Sequence, residues 1–119
     1  MNTAIGVVVI GRNEGVRLER CLASLVGTVD KIVYVDSGST DGSVKMAQGL
    51  GVEVVALDMT RSFTAARARN EGFQRLQQLY PEAPYVQFID GDCEVVAGWF
   101  VSAQAFLDQY AEFAVVAGR

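Results

Sequence analysis

Apolar positions along the chain fall into short continuous runs, and these alternate with stretches of helical spacing. Residues 4–10 are a β-branched run that reads as a first strand buried on both faces. A polar loop, Gly11-Arg12-Asn13-Glu14-Gly15, follows it. Leu18, Cys21, Leu22, Leu25 and Val26 then recur at helical spacing, and Gly27 is the expected stop. Residues 31–35 read as a second strand, closing on the loop Asp36-Ser37-Gly38-Ser39-Thr40-Asp41-Gly42. A short helix is expected next, with Val44, Ala47 and Leu50 on one face and Gly51 as its end. Residues 52–57 read as a third strand. Thr64 or Ser62 can cap the helix that follows. Its inner face is expected to carry Phe73, Leu76 and Tyr80, and Pro81 ends it.

The fourth run, Tyr85-Val86-Gln87-Phe88-Ile89, is expected to be buried on both faces and leads straight into Asp90-Gly91-Asp92. Residues 98–110 predict a helix with Phe100 (or Trp99), Ala103 and Leu107 inward, and residues 113–117 a final strand. Strands alternating with helices predict a mostly parallel α/β sheet with right-handed crossovers. In such a sheet the loops after the strands emerge at one edge, where open α/β sheets bind ligands. The loops at 12–14, 36–41 and 90–92 are therefore expected to form one site.

Composition narrows the chemistry. The 119 residues are the size of one domain, half of them hydrophobic, with a formal net charge of −4 and no basic run. A nucleic-acid partner is not expected on that balance. There is no histidine, which excludes a Ser-His-Asp triad and a His-ligated zinc site. Cys21 and Cys93 are too few for a disulfide framework and are expected to be reduced. The N-terminus lacks the basic start of a signal peptide, so the expected location is the cytoplasm or the cytoplasmic face of a membrane.

Each candidate residue has two readings. Asp90 and Asp92, one glycine apart at a strand end, suit a hard divalent cation that bridges protein to phosphate. Asp-Gly is equally a hairpin turn signal. An EF-hand is excluded, because its glycine and its final glutamate would fall on Val95 and Val101. Asp36 is either a turn residue or the acceptor for a nucleobase N–H. Glu14 either favours a helix dipole or faces a nucleotide. Arg67 and Arg69 either grip phosphate or are solvated helix charges paired with Glu71 or Glu14. No Gly-x-Gly-x-x-Gly and no Walker A sequence is present.

Taken in order, Val8-Val9-Ile10-Gly11-Arg12-Asn13-Glu14, Val35-Asp36-Ser37-Gly38-Ser39-Thr40-Asp41-Gly42-Ser43, Ala68-Arg69-Asn70-Glu71-Gly72 and Phe88-Ile89-Asp90-Gly91-Asp92 resemble the family-2 glycosyltransferases. The resemblance spans nearly the whole chain. It implies a GT-A (Rossmann-like) fold, a UDP- or GDP-linked sugar donor, Mn²⁺ or Mg²⁺, and inversion at the anomeric carbon. By it, Asp36 meets the base, Asp90 lies near the ribose, and Asp92, with Asp90, meets the metal. Asn13, Glu14 and Arg69 line the nucleotide pocket.

Two departures stand out. The family often carries a second aspartate where this chain has Ser37. Its enzymes also continue into an acceptor-binding half that supplies the general base, so residues 1–119 are expected to be a donor-binding fragment with that base beyond Arg119. An unpaired final strand at 113–117 then predicts self-association. The alternatives left open are a nucleotidyltransferase and a non-catalytic nucleotide-binding α/β module.

Overall fold

The computed structural model describes residues 5–95 and 98–109. The chain runs β1 (Ile5–Gly11), α1 (Val16–Val26), β2 (Ile32–Asp36), α2 (Ser43–Gly49), β3 (Glu53–Ala56), α3 (Ala65–Leu79), β4 (Tyr85–Asp90) and α4 (Trp99–Gln109). The four strands form one sheet in the order β3-β2-β1-β4, and every pairing is parallel. This is the α/β layout that the alternation of periods predicts. The expected strand at 113–117 lies outside the described residues, and with it the expected self-association. No helix among the described residues is long and apolar enough to cross a membrane.

Alternation along the strands splits the core into two layers. Val7, Val9, Ile32 and Tyr34 pack against Leu18, Cys21, Leu22 and Leu25 of α1, Ala47 of α2 and Phe100 of α4. Val8, Val33 and Val35 face the other way, onto Ala68 and Leu76 of α3. β1 and β2 are therefore buried on both faces, as their apolar runs require.

β4 corrects the expectation. Among the described residues it pairs on one side only, with β1, and is half-exposed along most of its length, with Phe88 39% accessible. An apolar run marks a strand as buried but does not say in which place of the sheet it stands. α3 turns inward as expected at Leu76, which is buried, and at Tyr80, which packs half-buried on the same layer. Its other buried positions are Ala68 and Gly72, while Phe73 is only half-buried. A Cβ on Gly72 would stand 2.4 Å from Val8 Cγ1 and 2.7 Å from Val35 Cγ2. The helix lies so close to the sheet that glycine is needed at that point. Leu76 comes equally near to Gly6 of β1, 2.5 Å from the place of its missing Cβ.

Strand register sets where the candidate residues emerge. Gly11 pairs with Asp36, and Ile10 pairs with Asp90. Residues in register on neighbouring strands point to the same face, and consecutive residues to opposite faces. Asp36 therefore leaves the sheet on the α1/α2 face and Asp90 on the α3 face.

Candidate nucleotide site at the carboxyl edge of the sheet

Asp36 ends β2 and is only 2% exposed. The Tyr34 hydroxyl donates to its Oδ1 at 2.7 Å, and the Ser39 N–H donates to its Oδ2 at 2.8 Å. Tyr34 is two residues earlier on the same face, so its ring runs beneath the strand end. Burial, with the hydrogen bond to Asp36 adding to it, pushes the Tyr34 hydroxyl well above its ordinary pKa. The phenol is thus kept protonated, and Asp36 organises the loop that follows it.

Asn13 ties that loop to the first one. Its N–H donates to Ser39 Oγ at 2.9 Å, and its Oδ1 accepts from the Thr40 N–H at 2.8 Å. To do so it adopts a left-handed backbone, with φ 51°, which asparagine tolerates better than most residues. The Ser37 N–H donates to the Gly11 carbonyl at 3.0 Å. The loops after β1 and β2 are one hydrogen-bonded unit. Asp41 closes it: the Ser43 hydroxyl and N–H both donate to Oδ1, holding the carboxyl below its ordinary pKa.

Glu14 lies on the other side of β1. Its Cγ would be 3.4 Å from a Cβ on Gly11 and 3.6 Å from one on Gly91, so its stem runs between the β1 and β4 ends. Its carboxylate lies 3.2 Å from Arg17 Nη2, and Oε2 is buried without an aligned hydrogen bond. The ion pair and the missing hydrogen bond are compatible. The charges are close, but the geometry is poor, which leaves that oxygen under-satisfied.

After β4 the chain turns at once. The Gly91 N–H donates to the Ile10 carbonyl at 2.8 Å, and the Cys93 N–H donates to the Asp90 carbonyl at 3.0 Å. A Cβ on Gly91 would press on Ile10 O at 3.1 Å, so the turn hugs the end of β1. This is a turn into α4, not a two-residue hairpin. Asp90 is 61% exposed at its side chain and meets Arg69 Nη2 at 3.8 Å, where Arg69 is itself 43% exposed. Such a pair contributes about 0–1 kcal/mol and is readily exchanged for a better partner. Asp92 is exposed, with the Cys93 thiol 3.5 Å from its Oδ1.

The structure thus brings Asn13, Asp36 and their loops together, brings Arg69 and Asp90 together, and sets Glu14 between the two groups. All stand at one edge of the sheet, but Asp36 and Asp90 do not face each other. Among the described residues, no three His, Cys, Asp or Glu side chains cluster as a metal site. Asp90 and Asp92 do fit a cation that completes its shell from elsewhere. They are exposed oxygen donors of the hard type, and Mg²⁺ commonly takes one or two carboxylates plus phosphate oxygens and water.

Arg67 is not placed for phosphate. It pairs with Glu71 at 3.0 Å and turns its guanidinium onto loop carbonyls. The solvated-charge alternative is thus half right: it pairs with Glu71, yet it is only 14% exposed. Tyr34, Ser39 and Thr40 were not singled out by sequence. For Tyr34 a signal existed, since a hydroxyl two residues before a strand-end aspartate shares its face. A cleft of about 520 Å³ lies elsewhere, at the opposite edge between Val26, Ile32, Leu50 and Tyr80, away from every candidate residue.

Comparison with known proteins bears on this edge. An uncharacterized glycosyltransferase of Rickettsia bellii is 41% identical over 51 residues, 43% of this chain and 17% of that protein. A TPR repeat-containing protein of Synechococcus elongatus is 28% identical over 105 residues, 88% of this chain and 24% of its own length. The matched stretches thus span about a fifth of these curated relatives. A crystal structure of glucosyl-3-phosphoglycerate synthase from Mycobacterium tuberculosis in complex with uridine diphosphate superposes on 97% of this chain and 45% of its own, with a TM-score of 0.60 and 24% identity. That likeness establishes the GT-A fold. The family model for glycosyl transferase family 2 matches residues 6–119, and the chain belongs to that family.

Proposed function

We propose that this chain binds the donor of a metal-dependent, inverting glycosyl transfer, a UDP- or GDP-linked sugar. The observation that carries the reading is the β4 turn. It presents two exposed carboxylates and the Arg69 guanidinium beside the prebuilt loops of β1 and β2. Family membership favours this reading over a nucleotidyltransferase or a non-catalytic module. The uridine diphosphate held by the mycobacterial enzyme supports a nucleoside diphosphate here.

Each residue has a role in this reading. Asp92, with Asp90, would hold Mn²⁺ or Mg²⁺, which when bound neutralises charge on a departing diphosphate. Arg69 gives up its weak pair with Asp90 and offers its guanidinium to phosphate oxygens. Glu14 and Asn13 line the floor between β1 and its two neighbours. Asp36 acts on the base end by holding the 37–41 loop in shape, with the base contact made at that loop. The general base that deprotonates the acceptor hydroxyl for attack from the opposite face is assigned outside these 119 residues. A cytoplasmic setting, or the cytoplasmic face of a membrane, goes with a nucleotide-sugar donor.

The experiment is to titrate the 119-residue chain with a panel of UDP- and GDP-sugars in the presence of Mn²⁺, then to add sugar acceptors and follow nucleotide release. Saturable donor binding without acceptor-dependent release is expected. Acceptor-dependent turnover by this chain alone would place the base inside it and overturn the assignment.

A further inference from the structure

The segment between β3 and α3, residues 57–64, has no regular structure, yet it is pinned at several points. The Leu57 N–H donates to the Asp36 carbonyl at 2.9 Å, which extends the sheet ladder past the end of β3. Asp58 folds back on Thr60, accepting from its N–H at 3.0 Å and its hydroxyl at 2.6 Å. Thr64 caps α3 by accepting the Arg67 N–H at 3.0 Å.

Arg67 joins these pieces. Its Nη2 donates to the Asp58 carbonyl at 2.9 Å, and its Nη1 lies 3.4 Å from the carbonyls of both Arg61 and Ser62. Its Nε sits 3.0 Å from Glu71 on the next turn of the same helix. One guanidinium therefore gathers three carbonyls of one loop, and Glu71 compensates its charge. Held this way, the loop lays Met59 on the neighbouring loop. Met59 Cγ is 3.0 Å from the place a Cβ on Gly38 would take, and Gly38 has φ 80°. Met59 stays 39% exposed, with Phe63 nearby in sequence at 47%.

We propose that Arg67 is a positioning residue for nucleotide binding: it holds residues 58–62 so that Met59, seated on Gly38, walls the base end of the site. The inference rests on the donor-binding reading above, and it separates Arg67 from Arg69. Arg69 faces the turn that takes the diphosphate. Arg67 faces the carbonyls of the 58–62 loop and the Glu71 carboxylate, so its effect falls on the base. Preorganising a loop in its bound shape raises affinity by lowering the ordering cost, with no new contact to ligand.

The test uses two variants of the 119-residue chain, Arg67→Lys and Met59→Ala, and two probes with Mn²⁺, UDP and inorganic pyrophosphate. A lysine keeps the charge but lacks the planar fork that spans separate carbonyls. Both variants are expected to lower UDP affinity by about tenfold and to leave pyrophosphate affinity unchanged. Arg67→Lys is also expected to speed hydrogen exchange of the 58–62 amides. Equal loss for UDP and pyrophosphate would show a direct phosphate contact or a general folding defect. Faster exchange with unchanged UDP affinity would show that the loop has no part in binding. Either result overturns the inference. A wild-type chain that binds neither probe would instead defeat the nucleotide reading itself, and the inference with it.

Discussion

The two sides of β1 end in opposite ways at the same edge of the sheet. On the β2 side, Asp36 is 2% exposed and both its oxygens accept hydrogen bonds from within the chain. Asn13 locks the two loops from a left-handed backbone. On the β4 side, Asp90 is 61% exposed with a 3.8 Å ion pair, and Asp92 is exposed beside a thiol. Aspartates of one chemical type therefore do two jobs. A buried carboxylate with satisfied oxygens stabilises the fold and shapes a site. An exposed carboxylate with a weak partner adds little to the fold and is free to meet a cation. Substitutions on the two sides should then separate stability from binding.

The largest loss of stability is expected beneath the β2 side, at Gly72→Ala. The added methyl meets Val8 and Val35 well inside contact distance. Overpacking of this kind costs roughly 1–3 kcal/mol, and here the upper end is expected. Chemical denaturation followed by circular dichroism measures it. Full tolerance of alanine would show that α3 stands farther from the sheet.

Asp36→Ala comes next, at about 2 kcal/mol, because it strands a buried hydroxyl and a backbone N–H. Its partner makes a pH test. The folded-state pKa of Tyr34 is raised above the ordinary value of 10.0. That contribution to stability is fully present below pH 10 and is lost as pH rises from there toward the folded-state pKa. Tyr34→Phe should therefore flatten the alkaline limb of the stability profile, and an unchanged limb would place the alkaline loss elsewhere. Asn13→Ala is smaller, about 1 kcal/mol, for the left-handed backbone that alanine disfavours. Asn13→Gly, which keeps that backbone at no steric cost, should recover most of it in the same denaturation assay.

Thiol reactivity tests burial within the β4 side itself, where the Cys21 thiol lies 4.0 Å from the Asp90 carbonyl. Cys21 is buried, and desolvation, reinforced by nearby Cys93 and the turn's carboxylates, pushes its thiol up to about 12. Cys93 is exposed on the turn. Iodoacetamide at mildly alkaline pH should label Cys93 and spare Cys21 in the native chain. Equal labelling would show that α1 opens on that timescale.

Much of the fold was legible in the residues because it depends on local period. The runs of β1 and β2, the spacing of Leu18, Cys21, Leu22 and Leu25, and the strand-end placement of Asp36 and Asp90 are all local. The rest depends on how strands are ordered and registered. Tyr85 to Ile89 is apolar enough for a central strand, yet among the described residues β4 is the outermost strand and half-exposed. Phe73 fits a helical stripe, yet α3 comes so near the sheet that Ala68 and Gly72 make the contact. Asp36 and Asp90 both end strands, yet a one-residue difference in register with β1 sends them to opposite faces. Arg67 and Arg69 are two residues apart in sequence, and only the path of residues 57–64 assigns one to backbone and the other to the β4 turn.

The smallest change in stability is expected at Asp92→Asn, within about 0.5 kcal/mol, because the side chain is exposed. That makes it the direct test of the claim that the β4 side is kept for a ligand. Calorimetric titration of UDP and GDP in the presence of Mn²⁺ should compare wild type, Asp92→Asn and Glu82→Gln, the last an exposed carboxylate in the connection between α3 and β4. Asp92→Asn is expected to lower metal-dependent nucleotide affinity far more than Glu82→Gln does, with the melting temperature of Asp92→Asn unchanged. Equal effects from the two variants, or a wild-type affinity indifferent to Mn²⁺, would contradict it.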